Sequence, residues 1–573
     1  MVLGRFSLTA ERRAESSDET RRGRRDPRGW HLALILAVSS AYELLFLRHG
    51  LNRIDEGVVH YAAMQLRAGG ALYRDIFFGF PPGHALPAWL GQLAAPPGIL
   101  VTRGIYAALT VALCAALYAL GRRLMPPVFA LLGALLLAVA APESHLWHFL
   151  FGYRYLLFSA LALLCFAKHL DTKHLDTKKL DTKKLDAKHP AGWDSRWLLA
   201  SGAWVAVSLC FRLTPALAVG AGIALAVVAA DPRPRHWLRE GGWLALGFAV
   251  TAGPLLAWIA LGPGVGSFWQ EVVVRPLAMA ELQGLGIPAL ELPERFGRAA
   301  LTRAFLAVQF RLYPLLYAAY AIGLAVLWLR ARRRGEPFGA PLLLAVVIWG
   351  AVYFTRALGR SDQGHLDSTL PPACLLLAHA LWQFARLGAR VVSAGPRTAS
   401  RISLAVGAAA LAAWIGLQGS DRYLGRTLRG SAPFQTLGAT IYNRSPDWAA
   451  TLDDRVRKIR SWTEPDARIL DLGHSPLFYV LAERMGPGHF DVVMPGTFLD
   501  AAEEEGFLAR LQAAPPELVI WPTQDFDGMS SRALAAVAPR LTAWVLENYW
   551  ETPESGERFV LLVREDVARR LAN

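Results

Sequence analysis

The sequence predicts a polytopic α-helical membrane protein with about eleven transmembrane helices and a small C-terminal α/β domain. Three observations predict this fold class. Hydrophobic residues make up 54% of the 573 residues and charged residues only 18%, and the mean hydropathy is +0.29, which is unusual for a soluble chain. The apolar residues form repeated runs close to the roughly 20 residues that cross a bilayer core. From about Ser420 the composition changes to that of a soluble domain.

The transmembrane domain is expected over residues 30–419, where uncharged runs alternate with polar loops. We interpret each run as one membrane-spanning helix, because few charged residues interrupt it. The predicted spans are 30–47, 99–120, 127–141, 154–168, 197–211, 214–231, 241–261, 313–330, 339–356, 367–387 and 402–417.

The N-terminal tail, residues 1–29, is rich in arginine and contains no apolar run. No small-residue cleavage site follows the first apolar run, so that run is expected to be a retained helix and not a signal peptide. Segments on the same side as this tail contain about twice as many Lys and Arg as the segments on the other side. Because basic loops stay in the cytoplasm, the N-terminus is predicted to be cytoplasmic and the C-terminal domain extracytoplasmic. The abundance of Arg, Ala and Leu indicates a bacterial inner (plasma) membrane.

A charged low-complexity insertion is predicted over residues 168–190. It contains the four pentads HLDTK, HLDTK, KLDTK and KLDAK. A five-residue period fits neither a helix nor a strand, so we expect a solvated cytoplasmic segment. A tether that binds a partner is the alternative.

Charge and cysteine content exclude two other kinds of chemistry. The net charge of +14 would suit nucleic acid, but the basic clusters lie between apolar runs, so no nucleic-acid partner is expected. The four cysteines lack the spacing of a disulfide framework or a metal site and are expected to be small buried hydrophobes. They are Cys114, Cys165, Cys210 and Cys374.

The C-terminal domain, residues 420–573, alternates strand and helix patterns as an α/β unit does. The predicted strands are Ala467–Leu472, Phe490–Met494, Glu517–Trp521 and Phe559–Arg564, and the predicted helices are Pro476–Met485, Asp500–Ala514 and Ser530–Val545. The stretch from Ile469 to Gly473 is similar to the first motif of a methyltransferase. The residues that follow replace the glycines that would let a cofactor approach, so this reading is disfavoured.

The first outer segment carries two adjacent carboxylates, Asp55 and Glu56, shortly after the first span. A carboxylate at this depth can act as a general base toward an acceptor hydroxyl, or hold a divalent ion that neutralises a lipid phosphate. The alternative is a solvated helix cap, since Asp is common at helix starts.

The same segment continues with Leu72-Tyr73-Arg74-Asp75 and then Pro81-Pro82-Gly83. The first outer segment thus contains an acidic pair, then Leu-Tyr-x-Asp, then Pro-Pro-Gly. This order of motifs after the first helix resembles that of the GT-C glycosyltransferases. The resemblance is to the group that includes protein O-mannosyltransferases and the lipid A aminoarabinose transferase. It extends over nearly the whole chain, and its short motifs identify the superfamily better than the substrate.

The resemblance implies a reaction and its participants. Asp55 would be the catalytic base, with Glu56 as its acidic neighbour and Asp75 as a second acidic residue of the loop. A sugar on undecaprenyl phosphate or a similar polyprenyl phosphate would be transferred with inversion to a hydroxyl outside the cytoplasm. The implied partners are this donor, membrane lipid, and an acceptor protein, lipid A or cell-envelope glycan. The one cofactor under consideration is a divalent metal ion.

The leaving lipid phosphate requires positive charge, because an anion that develops in a water-poor site is otherwise costly. Arginines at the outer helix ends are candidates, since arginine stays ionised and grips phosphate with two donors. The alternative for each is snorkelling to the headgroups. The predicted substrate- or phosphate-binding residues are Tyr73, Arg74, Arg154, Arg212, Arg360, Asp362 and His365.

Several outer residues allow more than one interpretation. The stretch containing Arg360, Asp362 and His365 precedes a proline-rich helix start and either faces the carrier or caps a helix end. His84, His145 and His148 lack the tight spacing of metal ligands. The outer stretch Ser267–Leu312 mixes aromatic and charged residues and is expected to lie along the membrane surface, or to be an ordinary surface loop.

Two other functions compete with sugar transfer. A lipid-linked glycan polymerase or ligase would place its large loop between late helices and would lack an acidic pair after the first helix. A transporter would require charged residues within the spans and paired broken helices. The break at Thr214-Pro215 has no evident counterpart.

Overall fold

The computed structural model describes residues 28–140, 153–181, 195–231, 233–290, 297–391, 396–418, 425, 431–443, 445–552 and 559–572. Almost all of the predicted N-terminal tail lies outside this part of the chain. Up to residue 418 the described chain is mainly helical. Beyond residue 430 it combines short strands with helices.

The first part of the chain is a helical bundle with short outer helices between its long ones. Its helices are α1 Arg28–Phe46, α2 Asp55–Arg67, α3 Leu86–Ala94, α4 Ile99–Leu124, α5 Pro127–Ala138, α6 Leu156–Asp181, α7 Ser195–Phe211, α8 Leu213–Ala230, α9 Pro234–Leu261, α10 Val265–Trp269, α11 Arg275–Leu282, α12 Arg298–Arg334, α13 Pro341–Gly359, α14 Gln363–Asp367, α15 Leu370–Val391 and α16 Pro396–Leu417.

The long helices have the length and hydropathy of membrane spans. Among the described residues, six helices are long and apolar enough to cross a membrane, and three shorter helices are apolar as well. Each of the predicted spans overlaps at least one helix of the bundle. The chain is therefore a multi-pass membrane protein, and the count of eleven spans stays a prediction.

Helices α7 and α9 pack with their backbones in contact. A Cβ atom at Gly202 would overlap the carbonyl of Leu244, and one at Gly247 would overlap the carbonyl of Leu199. Small residues at such positions permit the close packing on which membrane helices depend, because burial of apolar surface contributes little within lipid. These two glycines therefore fix α9 against the bundle.

The cysteines lie within or beside the bundle, as expected. Cys114 and Cys374 are buried, whereas Cys165 and Cys210 are partly buried. The prediction of small buried hydrophobes is therefore confirmed for the first two and holds only partly for the others.

The pentad segment differs from its prediction, because its first half is helical. Helix α6 runs without a break from the span through Asp181. Asp171 forms an ion pair with Arg123 at the end of α4, and Lys173 pairs with Glu240 of α9 at 2.7 Å. A helix that is already nucleated by a span extends at little cost, and these ion pairs attach its first pentad to the bundle. The remainder of the insertion lies outside the described residues.

The C-terminal part of the described chain forms a small α/β unit. Its strands are β1 Ala432–Pro433, β2 Tyr442–Asn443, β3 Ile469–Asp471, β4 Leu518–Trp521, β5 Trp550–Glu551 and β6 Val560–Val563, and its helices are α17 Pro446–Trp462, α18 Leu477–Ala482, α19 Ala501–Ala513, α20 Leu534–Val537, α21 Pro539–Asn548 and α22 Glu565–Ala572. The main sheet has the order β3-β4-β6-β5. Its first pair is parallel and the other two pairs are antiparallel.

Two predicted elements of this unit are wrong. Phe490–Met494 is an irregular segment and not a strand. Its Asp491 carboxylate accepts from the backbone N–H of Gly488 and from the Gln65 side chain, both at 2.8 Å, and the Gln65 bond connects the segment to α2. The predicted helix Ser530–Val545 is broken, because Pro539 cannot donate the hydrogen bond that would continue it.

The α/β unit is attached directly to the first outer segment of the bundle. The rings of Tyr61 in α2 and Tyr479 in α18 stack at 4.3 Å, and the Tyr61 hydroxyl accepts from the backbone N–H of Gly486 at 2.6 Å. A Cβ atom at Gly57 would lie 2.5 Å from the backbone nitrogen of Leu477. Helix α2 therefore lies against both the bundle and the C-terminal unit, and its first residues face the boundary between them.

Candidate active site

Asp55 is the first residue of helix α2. Asn52 organises the helix start, because its side-chain oxygen accepts from the backbone N–H of Ile54 at 3.1 Å and of Asp55 at 2.9 Å. The Asn52 amide also donates to the Asp55 carboxylate at 2.7 Å. The helix start is thus satisfied by Asn52, and the alternative that the Asp55 side chain serves as the cap is wrong.

The Asp55 carboxyl can exchange a proton near neutral pH. Burial raises the pKa of Asp55 to about 7, although the hydrogen bond from Asn52 and the charges of Arg212 and Arg360 lower it; the nearby Glu56 charge adds to the rise. A general base is most effective when its pKa lies near the working pH. Asp55 has that property and remains partly exposed.

Glu56 has a different environment, although it is the next residue. The Arg103 guanidinium donates to both of its carboxylate oxygens at 2.7 Å, and the backbone N–H of Asn52 donates at 3.0 Å. The side chains of Arg103 and Glu56 are 0% and 2% exposed. Arg103 donates further to two backbone carbonyls beyond helix α1. Glu56 therefore ties α2 to α4, and this contact positions Asp55.

Arg212 lies in the one-residue gap between α7 and α8. Its guanidinium is 4.9 Å from the centroid of the Phe80 ring, which itself stacks on His84 at 4.5 Å. The charges of Asp55 and Arg356 both act on Arg212. The gap between two spans thus holds a buried cation within electrostatic reach of the Asp55 carboxylate.

The Pro-Pro-Gly motif brings the Phe80 loop against helix α7. A Cβ atom at Gly83 would lie 2.6 Å from the carbonyl oxygen of Cys210, so this close approach requires glycine. Burial and the charges of Arg212 and Arg356 hold the pKa of His84 well below its ordinary value. His84 is therefore a neutral ring that stacks on Phe80.

Arg360 connects the bundle to the C-terminal unit. It donates to Asp362 at 2.8 Å and to both carboxylate oxygens of Asp527 at 3.0 and 2.6 Å. Asp527 also accepts from Arg532 at 2.5 Å. A forked arginine contact fixes orientation as well as charge. The C-terminal unit therefore holds Arg360 at the same boundary as Asp55.

Asp362 and His365 form the local support of Arg360. Asp362 caps helix α14, because it accepts from the backbone N–H of His365 at 2.9 Å and contacts its Nδ1 atom at 2.8 Å. Burial alone would raise the pKa of Asp362, but the contacts with His365 and Arg360 outweigh it and lower this pKa. The helix-capping interpretation is thus correct for Asp362, which at the same time holds Arg360.

Tyr73, Arg74 and Asp75 occupy another part of the first outer segment. Tyr73 is buried with a positive φ of 67° and donates to the Phe80 carbonyl at 2.7 Å. Arg74 pairs with the adjacent Asp75 at 2.8 Å, and both are substantially exposed, at 62% and 43%. The hydrogen bonds from Arg74 and the Ala71 backbone lower the pKa of Asp75.

Arg154 is buried inside the bundle. Its guanidinium lies 3.9 Å from the Glu43 carboxylate and 5.9 Å from the centroid of the Tyr106 ring. Of the predicted arginines, Arg212 and Arg360 are thus the two that act electrostatically on Asp55. Arg74 and Arg154 have their own carboxylate partners elsewhere.

Comparisons with known proteins show the fold. No protein-family model and no curated protein sequence matches the chain. The crystal structure of ArnT from Cupriavidus metallidurans bound to undecaprenyl phosphate is similar over 94% of this chain and 98% of that chain, at 15% identity and a TM-score of 0.54. The chain has a GT-C fold. The apo state of the same ArnT matches over 93% and 97% with a TM-score of 0.54 at 14% identity. An Archaeoglobus fulgidus oligosaccharyltransferase matches at 12% identity over 93% and 74%, with a TM-score of 0.48.

The GT-C fold recognised from the outer motifs is therefore confirmed, and the roles of individual residues stay predictions. The described residues contain no group of three His, Cys, Asp or Glu side chains that could hold a metal ion. His145 and His148 lie outside the described residues. A divalent ion stays a prediction, to which we assign no ligands.

Sequence reasoning missed four residues that complete the Asp55 region of this GT-C fold. Arg103 lies within the predicted span 99–120, and Arg356 is the last residue of the predicted span 339–356. Asn52 precedes the acidic pair by three residues and is not among the predicted site residues. Asp527 belongs to a loop of the C-terminal unit that no pattern singles out. Charges at the ends of apolar runs were the available signal for the two arginines.

Proposed function

We propose that the protein is an inverting GT-C glycosyltransferase that moves a sugar from a polyprenyl-phosphate carrier to an acceptor hydroxyl outside the cytoplasm. The observation that carries the proposal is the Asp55 carboxyl, whose pKa is raised to about 7 by burial while the charges of Arg212 and Arg360 act on it. A base for the acceptor and cations for the departing phosphate are thus provided at one boundary.

In the proposed reaction Asp55 accepts the proton of the acceptor hydroxyl. The hydroxyl oxygen attacks the anomeric carbon of the sugar, and a new C–O bond forms on the face opposite the phosphate. The bond between the anomeric carbon and the phosphate oxygen breaks, and polyprenyl phosphate leaves. Proton transfer to a positioned base contributes typically about 10²–10⁴-fold to a rate.

Arg212, Arg356 and Arg360 are proposed to stabilise the negative charge that develops on the leaving phosphate. Donors fixed in a water-poor site need no reorganisation when the charge appears. Arg360 is oriented by its contacts with Asp362 and Asp527, and the stacked Phe80 ring supports Arg212. The C-terminal unit thus contributes to the site by holding one of its cations.

The carrier is proposed to be undecaprenyl phosphate or a related polyprenyl phosphate. The ArnT structure with the same fold is bound to undecaprenyl phosphate, and a multi-pass bundle offers a lipid tail an apolar environment. We place the protein in a bacterial inner membrane, with its N-terminus in the cytoplasm and residues 420–573 outside. The excess of basic residues in the loops on the N-terminal side supports this orientation.

The proposal is tested with a strain that lacks the protein. We expect its membranes to accumulate the polyprenyl-phosphate sugar that serves as donor, detected by mass spectrometry of extracted lipids. The purified full-length protein, supplied with this lipid fraction and an envelope extract of the same strain as acceptor, should release polyprenyl phosphate. Unchanged lipids in the deletion strain together with no release in vitro would contradict the assignment.

The Asp55→Asn variant should insert and fold but should release polyprenyl phosphate about 10²–10⁴-fold more slowly. Asp566→Asn is a matched control, because Asp566 is an exposed carboxylate that pairs with Arg564 in the C-terminal unit. Equal rates for Asp55→Asn and the control would remove Asp55 as the base.

A further inference from the structure

We propose that the protein binds an anionic phospholipid in a groove between helices α1, α4, α6 and α7, at the membrane face opposite Asp55. The groove is a cavity of about 780 Å³. Its lining combines an apolar floor with three basic side chains. It is separate from every residue of the proposed transferase site.

Helix α4 runs from the Asp55 region to the groove. Its first turns carry Arg103, which pairs with Glu56 beside Asp55, and its last turn carries Arg122 and Arg123. At 1.5 Å per residue, Arg103 and Arg122 are roughly 30 Å apart along the helix axis. That is about the thickness of a bilayer core, so the groove and the Asp55 region open at opposite faces.

The basic side chains of the groove lie at one end of its wall. Arg122, Arg123 and Lys168 all line the cavity. The buried Nε atom of Arg122 has no hydrogen-bond partner within the described part of the chain. Its guanidinium carbon lies 5.8 Å from the centroid of the Tyr118 ring. Arg123 already pairs with Asp171, so the Arg122 donor and the positive charge of Lys168 are the groups that suit a phosphate.

The floor of the groove is apolar and suits an acyl chain. Leu32, Leu161 and Leu164 line it, and Ala115 and Ala119 of α4 leave room because their side chains are small. Ala115 and Ala119 are one helical turn apart, so they lie on the same face of α4.

The charge and the shape of the groove together indicate which ligand it binds. Basic pockets between transmembrane helices bind anionic lipid headgroups. A phospholipid with net negative charge satisfies both the cations and the apolar floor. A zwitterionic lipid would bring its own cation to the three basic side chains, and inorganic phosphate would leave the floor empty.

The test uses the full-length protein in nanodiscs or mild detergent, with phosphatidylglycerol and phosphatidylcholine as probes. Native mass spectrometry measures how many lipids stay bound. We expect retention of phosphatidylglycerol over phosphatidylcholine. The triple variant Arg122→Gln, Arg123→Gln, Lys168→Gln should weaken phosphatidylglycerol binding by about tenfold or more, because each basic residue near an anionic lipid contributes several-fold.

The matched control is Arg332→Gln, Arg333→Gln, Arg334→Gln. These arginines form the exposed last turn of α12, and the loop to α13 follows them. Helix α13 ends beside Arg360 near the Asp55 region, so its start and the end of α12 lie at the face where the groove opens. The control removes the same number of charges from that face and should retain the lipid.

Three outcomes would overturn the proposal. They are equal loss of lipid in both triple variants, equal retention of phosphatidylcholine, and protection against thermal unfolding by inorganic phosphate as strong as that by phosphatidylglycerol. Should the charge variant fail to fold, Ala119→Leu fills the floor without changing charge. It should also lose the lipid, and unchanged binding in Ala119→Leu would count against the groove.

Discussion

The first outer segment contains two acidic motifs that appear equally functional in the sequence, and their environments differ. Asp55 lies where α2, the end of α7 and the C-terminal unit approach one another, and burial raises its pKa to about 7. Asp75 is 43% exposed and pairs with the arginine next to it. Its pKa is lowered, chiefly by that hydrogen bond.

The difference shows that enclosure, more than residue type, distinguishes the two carboxylates. A carboxylate with a lowered pKa is already ionised and binds a proton weakly, whereas one with a pKa near neutrality can accept and release it. Asp55 acquires this property from residues far along the chain, such as Arg212 and Arg360. Asp75 is satisfied by its immediate neighbours.

The largest expected effect is on sugar transfer. Asp55→Asn should lower the rate by about 10²–10⁴-fold, because the acceptor hydroxyl loses its base. Asp75→Asn should lower it by less than about tenfold, since an exposed pair contributes little. Initial rates of polyprenyl phosphate release compare the two. A larger loss in Asp75→Asn than in Asp55→Asn would reverse the comparison.

The next largest effect is expected on the free energy of unfolding, when Glu56 is changed. Glu56→Gln should destabilise the protein by about 3 kcal/mol, because it leaves the Arg103 guanidinium buried without its anionic partner. Unfolding in mixed micelles measures this change. The double variant Glu56→Met, Arg103→Met should be less destabilised than Glu56→Gln. Wild-type stability in Glu56→Gln would show that the pair does not hold α2.

A smaller effect is expected where the C-terminal unit covers the Asp55 region. Gly57→Ala should cost about 1–3 kcal/mol through overpacking, because its Cβ would lie 2.5 Å from the Leu477 nitrogen and 2.9 Å from Cγ of Pro476. Faster proteolysis of the C-terminal unit would report the loosened contact. Gly104→Ala is the matched control, since nothing lies within 4 Å of that position.

The sequence was sufficient for the class of fold and for part of the site. Long apolar runs predicted the bundle, since the requirement for about 20 apolar residues per span is local. The acidic pair after the first span singled out Asp55, and positions at outer helix ends singled out Arg212 and Arg360, whose roles stay predictions. The partners Arg103 and Asp527 were missed, because pairing depends on helices and domains meeting in space. Phe490–Met494 has a strand pattern, but its Asp491 accepts a hydrogen bond from Gln65 of α2, and no local pattern predicts that contact.

The pH dependence of transfer tests the role of Asp55 most directly. Because the pKa of Asp55 is raised to about 7, the base is protonated below that pH. The value of kcat/KM should therefore fall about tenfold per pH unit below about pH 7, in the wild-type protein and in Asp75→Asn alike. A rate that stays constant from about pH 8 down to about pH 5, with the protein still folded, would contradict the assignment of Asp55 as the base.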